Sequence, residues 1–174
     1  DIQFKQNEVE INIDDYLDEI KEKVTKKNVL ALEQILTKAK IPTIIKNLDK
    51  KTVIYTHLVT GIVDVLREEI TKAGYSVAQY TGEDKTGLKE FIEGDADVLI
   101  GSSSISTGVD GLQDVCQKII VNILPWTNAE FEQLKGRVFR QGQTKPVEVV
   151  IPVTNLNING ALNQNTNFGM KRIF

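Results

Sequence analysis

The sequence predicts an α/β domain, a parallel sheet with helices on both faces, preceded by an N-terminal helical extension. Three observations carry that expectation. From Lys51 onward, short apolar runs alternate with amphipathic stretches, the grammar of successive strand and helix units. Polar segments follow these runs at Thr56-His57, Thr81-Gly82-Glu83, Ser102 to Gln113 and Leu124-Pro125-Trp126, and in such a sheet they would gather beyond the carboxyl ends of the strands. Finally, 174 residues with 41% hydrophobic content are enough to bury a real core.

Residues 1–50 read as the helical extension. Glu8, Glu10, Asp14, Asp15, Asp18, Glu19 and Glu22 crowd its front, followed by Lys21, Lys23, Lys26 and Lys27. Tyr16, Leu17, Ile20 and Val24 recur beneath them at helical spacing, so the charges read as a solvated helical face rather than an acidic binding tail. A second helical pattern runs from Val29 through Leu48, carrying Leu30, Leu32, Ile35 and Leu36, with Pro42 punctuating it before Ile44, Ile45 and Leu48.

The main domain is expected over 51–153. Val53-Ile54-Tyr55 reads as a buried strand, and Thr60 to Ala73 as a helix with Val63, Leu66 and Ile70 inward and Gly74 as its stop. Tyr75 to Tyr80 is a second strand, and Asp84 to Glu93 a helix closed by Gly94. Val98-Leu99-Ile100, Lys118 to Asn122 and Val147 to Ile151 complete the apolar runs. Residues 154–174 form an asparagine-rich stretch, either a loosely ordered tail or a hairpin turning at Asn159-Gly160.

A net charge of −3 and a pI near 5.3 argue against a free-standing DNA clamp, because non-specific affinity rests on surplus Lys and Arg neutralising phosphates. Any nucleic-acid contact should be local, or shared with a partner lobe. The single cysteine, Cys116, permits no intrachain disulfide and fits a reducing compartment. With no membrane-length apolar run and no secretory pattern at the N-terminus, a cytoplasmic location is expected.

Two segments carry the chemistry. In Gln133 to Gln143, QLKGRVFRQGQ, a helix capped by Thr127 or Asn128 would place Phe131, Leu134 and Val138 on one apolar stripe and Gln133, Arg137 and Arg140 on the opposite side. Planar, permanently charged guanidinium forks on such a stripe suit phosphate oxygens, although a solvated basic face has the same pattern. In Ile105 to Val115, ISTGVDGLQDV, the small residues Ser106, Thr107, Gly108 and Gly111 would let the backbone approach a phosphate or sugar, and Asp110 would accept from a ribose hydroxyl. Ordinary turn chemistry also uses such residues.

Taken in order, VIYTH (Val53 to His57), YTGE (Tyr80 to Glu83), STGVDGLQ (Ser106 to Gln113), LPWTNAEFEQ (Leu124 to Gln133) and GRVFRQGQ (Gly136 to Gln143) resemble the signatures of the second RecA-like lobe of superfamily II helicases, in their Swi/Snf-type flavour. The resemblance covers Lys51 to Pro152. It implies that Arg137 and Arg140 are the motif VI arginines that reach the ATP phosphates, with Arg140 the better candidate for the finger, and that Gln133 orients nucleotide or arginines. It places Gly108 and Asp110 at the nucleotide sugar, Ser106 and Thr107 between nucleotide and nucleic-acid backbone, and Thr56, His57, Thr81 and Gly82 along the nucleic-acid rim. The implied partners are DNA, with duplex DNA the better match to the Swi/Snf flavour, and the N-terminal RecA-like lobe of the same protein.

Asp110 matches the helicase variant of motif V rather than the shorter glycine-rich Swi/Snf form, and Asn122-Ile123 stand where an aspartate often precedes the LPW-like run. Trp126 is expected to pack under the motif VI helix, His57 to be a hydrogen-bonded strand-end residue, and Cys116 to be a small core residue. No GxxxxGK[ST] occurs, and Asp18-Glu19, which echoes a Walker B pair, falls within an amphipathic helical pattern. The lobe that grips ATP and holds Mg2+ is therefore expected outside these residues, leaving this chain inactive by itself. Two alternatives remain: a catalytically silent RecA-like protein-interaction module, and, disfavoured by the absent P-loop, a stand-alone nucleotide-binding enzyme.

Overall fold

The structure is a computed structural model, and it describes residues 4–82, 84–106, 109, 111–138 and 146–154. Among them, β1 (Phe4–Glu10), β2 (Thr52–Thr56), β3 (Val77–Tyr80), β4 (Val98–Gly101), β5 (Lys118–Ile123) and β6 (Val147–Val153) make one sheet in the order β1-β6-β5-β2-β4-β3. Every neighbouring pair is parallel. Helices α1 (Leu17–Thr25), α2 (Val29–Lys46), α3 (Val63–Lys72), α4 (Gly87–Ile92), α5 (Ser103–Ser106), α6 (Leu112–Val115) and α7 (Asn128–Val138) complete the α/β architecture.

The two-residue period of a strand divides the core. Val53, Tyr55, Leu99, Ile119, Val121, Val147 and Val149 face one cluster, which Phe91, Leu112, Phe131, Leu134 and Val138 of α4, α6 and α7 complete. Ile54, Val98, Ile100, Ile120 and Val150 face the other, against Ile41 and Ile44 of α2 and Val63, Leu66 and Ile70 of α3. Both faces are covered, so the central strands read as unbroken apolar runs. The strands and helices expected at Val53-Ile54-Tyr55, Thr60 to Ala73, Tyr75 to Tyr80, Asp84 to Glu93, Val98-Leu99-Ile100, Lys118 to Asn122 and Val147 to Ile151 each match an element of the structure to within three residues at either end. The loop after β4 turns tightly because Gly101 has no side chain: a Cβ there would overlap Ile105 and come within 3.0 Å of the Tyr80 carbonyl oxygen.

The N-terminal segment is corrected in two respects. It is not helical throughout, because Phe4–Glu10 forms β1, which pairs with β6 over all seven residues and becomes an edge of the main sheet. Its polar sequence FKQNEVE fits an edge position, where much of the strand stays wet. Nor does Pro42 interrupt the second helical pattern: α2 is continuous across it. The lost N–H of an interior proline costs about 3 kcal/mol, and the burial of Leu32, Leu36, Ile41 and Ile44 in α2 outweighs it. Asn28 caps this helix, its side-chain oxygen accepting from the Ala31 amide at 3.0 Å. Asp18 and Glu19 sit in the first turn of α1 and not at the end of a strand. The asparagine-rich reading falls almost wholly on residues 155–174, outside the described residues.

Candidate functional site

The segments that leave β5, β2, β4 and β3, neighbours in that order, emerge at one end of the sheet. Helix α7 is fixed there by its sequence. Thr127 is the cap, its hydroxyl accepting from the Glu130 amide at 3.2 Å, while Phe131, Leu134 and Val138 are buried as the apolar stripe requires. Gln133 is exposed on the other side. Arg137 is half-buried and turned towards the loop after α5: Nε donates to the Ser106 carbonyl at 3.2 Å and Nη1 to the Val109 carbonyl at 3.3 Å. Arg140, Thr107, Gly108 and Asp110 lie outside the described residues.

Beside α7 an aromatic and ionisable cluster joins the segments of β2 and β5. The Tyr55 hydroxyl and His57 Nδ1 share a hydrogen bond of 3.2 Å, the Glu130 carboxylate is 3.9 Å from the same nitrogen, and the Trp126 ring tilts against the imidazole with centroids 5.5 Å apart. Trp126 is 41% exposed, which corrects the expectation that it packs under the helix. His57 does behave as a hydrogen-bonded strand-end residue, its amide also donating to the Ile123 carbonyl at 3.1 Å.

Burial raises the pKa of the Tyr55 phenol well above the usual tyrosine range, assisted by Glu130 and opposed by the neighbouring Ser106 hydroxyl. Burial also pushes the His57 imidazole below its ordinary 6.5, with Glu130 pulling the other way. A base that binds its proton less readily when folded favours the folded state above the unfolded pKa, and that stability is lost as pH falls through the folded value. Acidification below about pH 6.5 should therefore lower the urea midpoint, and His57→Gln should flatten that part of the profile. An unaltered slope in the variant would exclude His57 as its source.

A polar seam under the same loops was not expected. β5 carries an irregularity: Tyr55 pairs with Val121 but Thr56 with Ile123, leaving Asn122 as the extra residue of a bulge. Its carbonyl accepts from Nζ of Lys40, a lysine of α2 that is 1% exposed. Its side-chain amide donates to the Thr37 hydroxyl at 2.9 Å and the Thr56 hydroxyl at 3.4 Å. Burial lowers the Lys40 pKa and the Glu33 carboxylate, also 1% exposed, opposes that shift. The available signal was polar residues at 33, 37 and 40, one helical face of a largely apolar α2.

Several hydroxyls assigned to the rim, or between nucleotide and nucleic-acid backbone, turn inward. Thr56 is buried and donates to the Leu58 carbonyl at 2.8 Å; Thr81 is buried, accepting from the Asp84 amide at 3.2 Å; Ser106 is buried beside Tyr55, its hydroxyl without a hydrogen bond of ordinary geometry. A direct side-chain contact from these three to a nucleic-acid backbone does not fit their burial. His57 is half-buried, and Gly82 is exposed at the end of the β3 segment. Cys116 is a core residue as expected: burial pushes its thiol up to about 12, and Sγ donates to the Lys118 carbonyl at 3.0 Å. Among the described residues no group of three His, Cys, Asp or Glu converges as metal ligands.

The profile of the helicase conserved C-terminal domain matches residues 27–142. Among solved structures, the C-terminal part of the Fun30 ATPase domain superimposes with a TM-score of 0.57 at 18% identity, over 85% of this chain and 55% of that one. The chain thus spans about half the length of that structure. No curated protein matches the sequence.

Proposed function

The chain belongs to the helicase conserved C-terminal domain family, a C-terminal RecA-like helicase lobe, and on that premise we propose that it is the second motor lobe of an ATP-dependent DNA translocase or helicase. ATP, with Mg2+ held by the P-loop lobe, would lie against the face where α7 meets the loop after α5. Closure of the two lobes brings the motif VI helix to the phosphates, with Arg140 as the finger, and Gln133 on the exposed side of α7 available to the nucleotide. Duplex DNA would run along the rim carrying Gly82 and His57, where the exposed indole of Trp126 beside the imidazole offers an aromatic surface to the strand.

The observation that carries this reading is the docking of Arg137 on the Ser106 and Val109 carbonyls, which joins the two motifs that must act on one nucleotide. The test is ATP hydrolysis by the intact protein with and without duplex DNA, beside the isolated 174-residue lobe. Stimulated turnover by the intact protein and none by the lobe is expected. DNA-independent or absent turnover in the intact protein would favour a silent interaction module instead.

A further inference from the structure

We propose that Tyr55 is a positioning residue whose buried hydroxyl links Ser106, at the end of α5, to His57 on the nucleic-acid rim; this rests on the motor-lobe reading above. The Tyr55 ring belongs to the same core cluster as Ile105 of α5 and Phe131 and Leu134 of α7, so its hydroxyl has a fixed place. It bonds His57 Nδ1 at 3.2 Å, and the Ser106 hydroxyl lies beside it. Ser106 is 1% exposed, and its Oγ has no hydrogen bond of ordinary geometry among the described residues. Two buried hydroxyls side by side, one bonded and one not, make an incomplete chain.

The direction of that chain follows from what each group can give. A phenol carries one proton and accepts through its lone pairs. Burial keeps the proton on Tyr55, and the acceptor in bonding geometry is Nδ1. A neutral imidazole that accepts at Nδ1 carries its own proton on Nε2, where a phosphate oxygen can accept it. Rotation of Ser106 about χ1 lets its hydroxyl donate to the phenol oxygen, which strengthens the phenol as a donor and its hold on the imidazole. Displacement of α5 on nucleotide binding therefore reaches the donor at the rim, and a phosphate at the rim acts back on α5 to the same extent. Glu130 of α7, 3.9 Å from Nδ1, is the other ionisable group facing the ring among the described residues. Once the imidazole is protonated, Nδ1 donates to that carboxylate instead and the chain opens.

In the intact protein, Tyr55→Phe keeps the ring and removes the hydroxyl. Maximal stimulation of ATP hydrolysis by duplex DNA is expected to fall about tenfold, with turnover in the absence of DNA within about twofold of wild type. Ser106→Ala combined with Tyr55→Phe should reduce stimulation no further than Tyr55→Phe alone. Wild-type stimulation in Tyr55→Phe, or losses that multiply in the double variant, would overturn the proposal. The histidine tautomer supplies a readout independent of turnover. In protein carrying isotope-labelled histidine, with the His57 signals identified by their loss in His57→Gln, the wild-type ring should hold its proton on Nε2 at neutral pH, and Tyr55→Phe should show a mixture of both tautomers. A wild-type ring protonated on Nδ1 alone would also overturn the link. Absence of ATP hydrolysis by the unsubstituted protein would instead defeat the motor-lobe reading, and the tautomer measurement separates that failure from this one.

Discussion

In the intact protein, Arg140→Ala is expected to lower DNA-stimulated ATP hydrolysis by about 10³- to 10⁵-fold, a rise of about 4 to 7 kcal/mol in the barrier. Phosphoryl transfer spreads charge over the equatorial oxygens of the moving group, and a guanidinium placed there stabilises the transition state more than the ground state. The loss should therefore fall on kcat, with ATP binding less affected. Arg140 lies outside the described residues, so its assignment rests on its sequence position, three residues after Arg137 of α7. Arg140→Lys should recover only part of the activity, because a point charge does not reproduce the planar fork. Turnover within about tenfold of wild type in Arg140→Ala would remove the finger from this lobe.

The sheet was legible because its central strands are covered on both faces. Such strands write themselves as continuous apolar runs, and β2, β4, β5 and β6 each do so. β1 was not legible for the complementary reason: an edge strand pairs through its backbone on one side only, and FKQNEVE has too few apolar residues to announce a partner that lies about 140 residues away. The apolar stripe of α7 and the cap at Thr127 could be read from spacing alone. The direction of individual side chains could not. Thr56 shares the parity of Ile54 and so points towards α2, and the bulge at Asn122 shifts the segment after β5, on which Trp126 emerges exposed. Strand-end polarity marks the rim of a parallel sheet, but parity and bulges decide which polar groups reach solvent.

Lys40→Met should destabilise the fold by about 3 to 5 kcal/mol, read as a lower urea midpoint at unchanged slope. Methionine matches the length and apolar stem of lysine, so packing is largely kept and the loss is electrostatic and hydrogen-bonding. Two groups lose an interaction at once: the Asn122 carbonyl, held at a bulge outside the regular ladder, and the Glu33 carboxylate, buried on the same helix. Removing one member of a buried pair of opposite charges costs more than the intact pair contributes, so Glu33→Gln combined with Lys40→Met should be more stable than Lys40→Met alone. The site should register the change as well. Asn122 lies four residues before Trp126, the single tryptophan of the chain, so a relaxed bulge would alter its emission through its contact with His57. A Lys40→Met protein with the wild-type midpoint would show that the seam contributes nothing to stability. Altered emission at an unchanged midpoint would instead confine its influence to the loop that carries the indole.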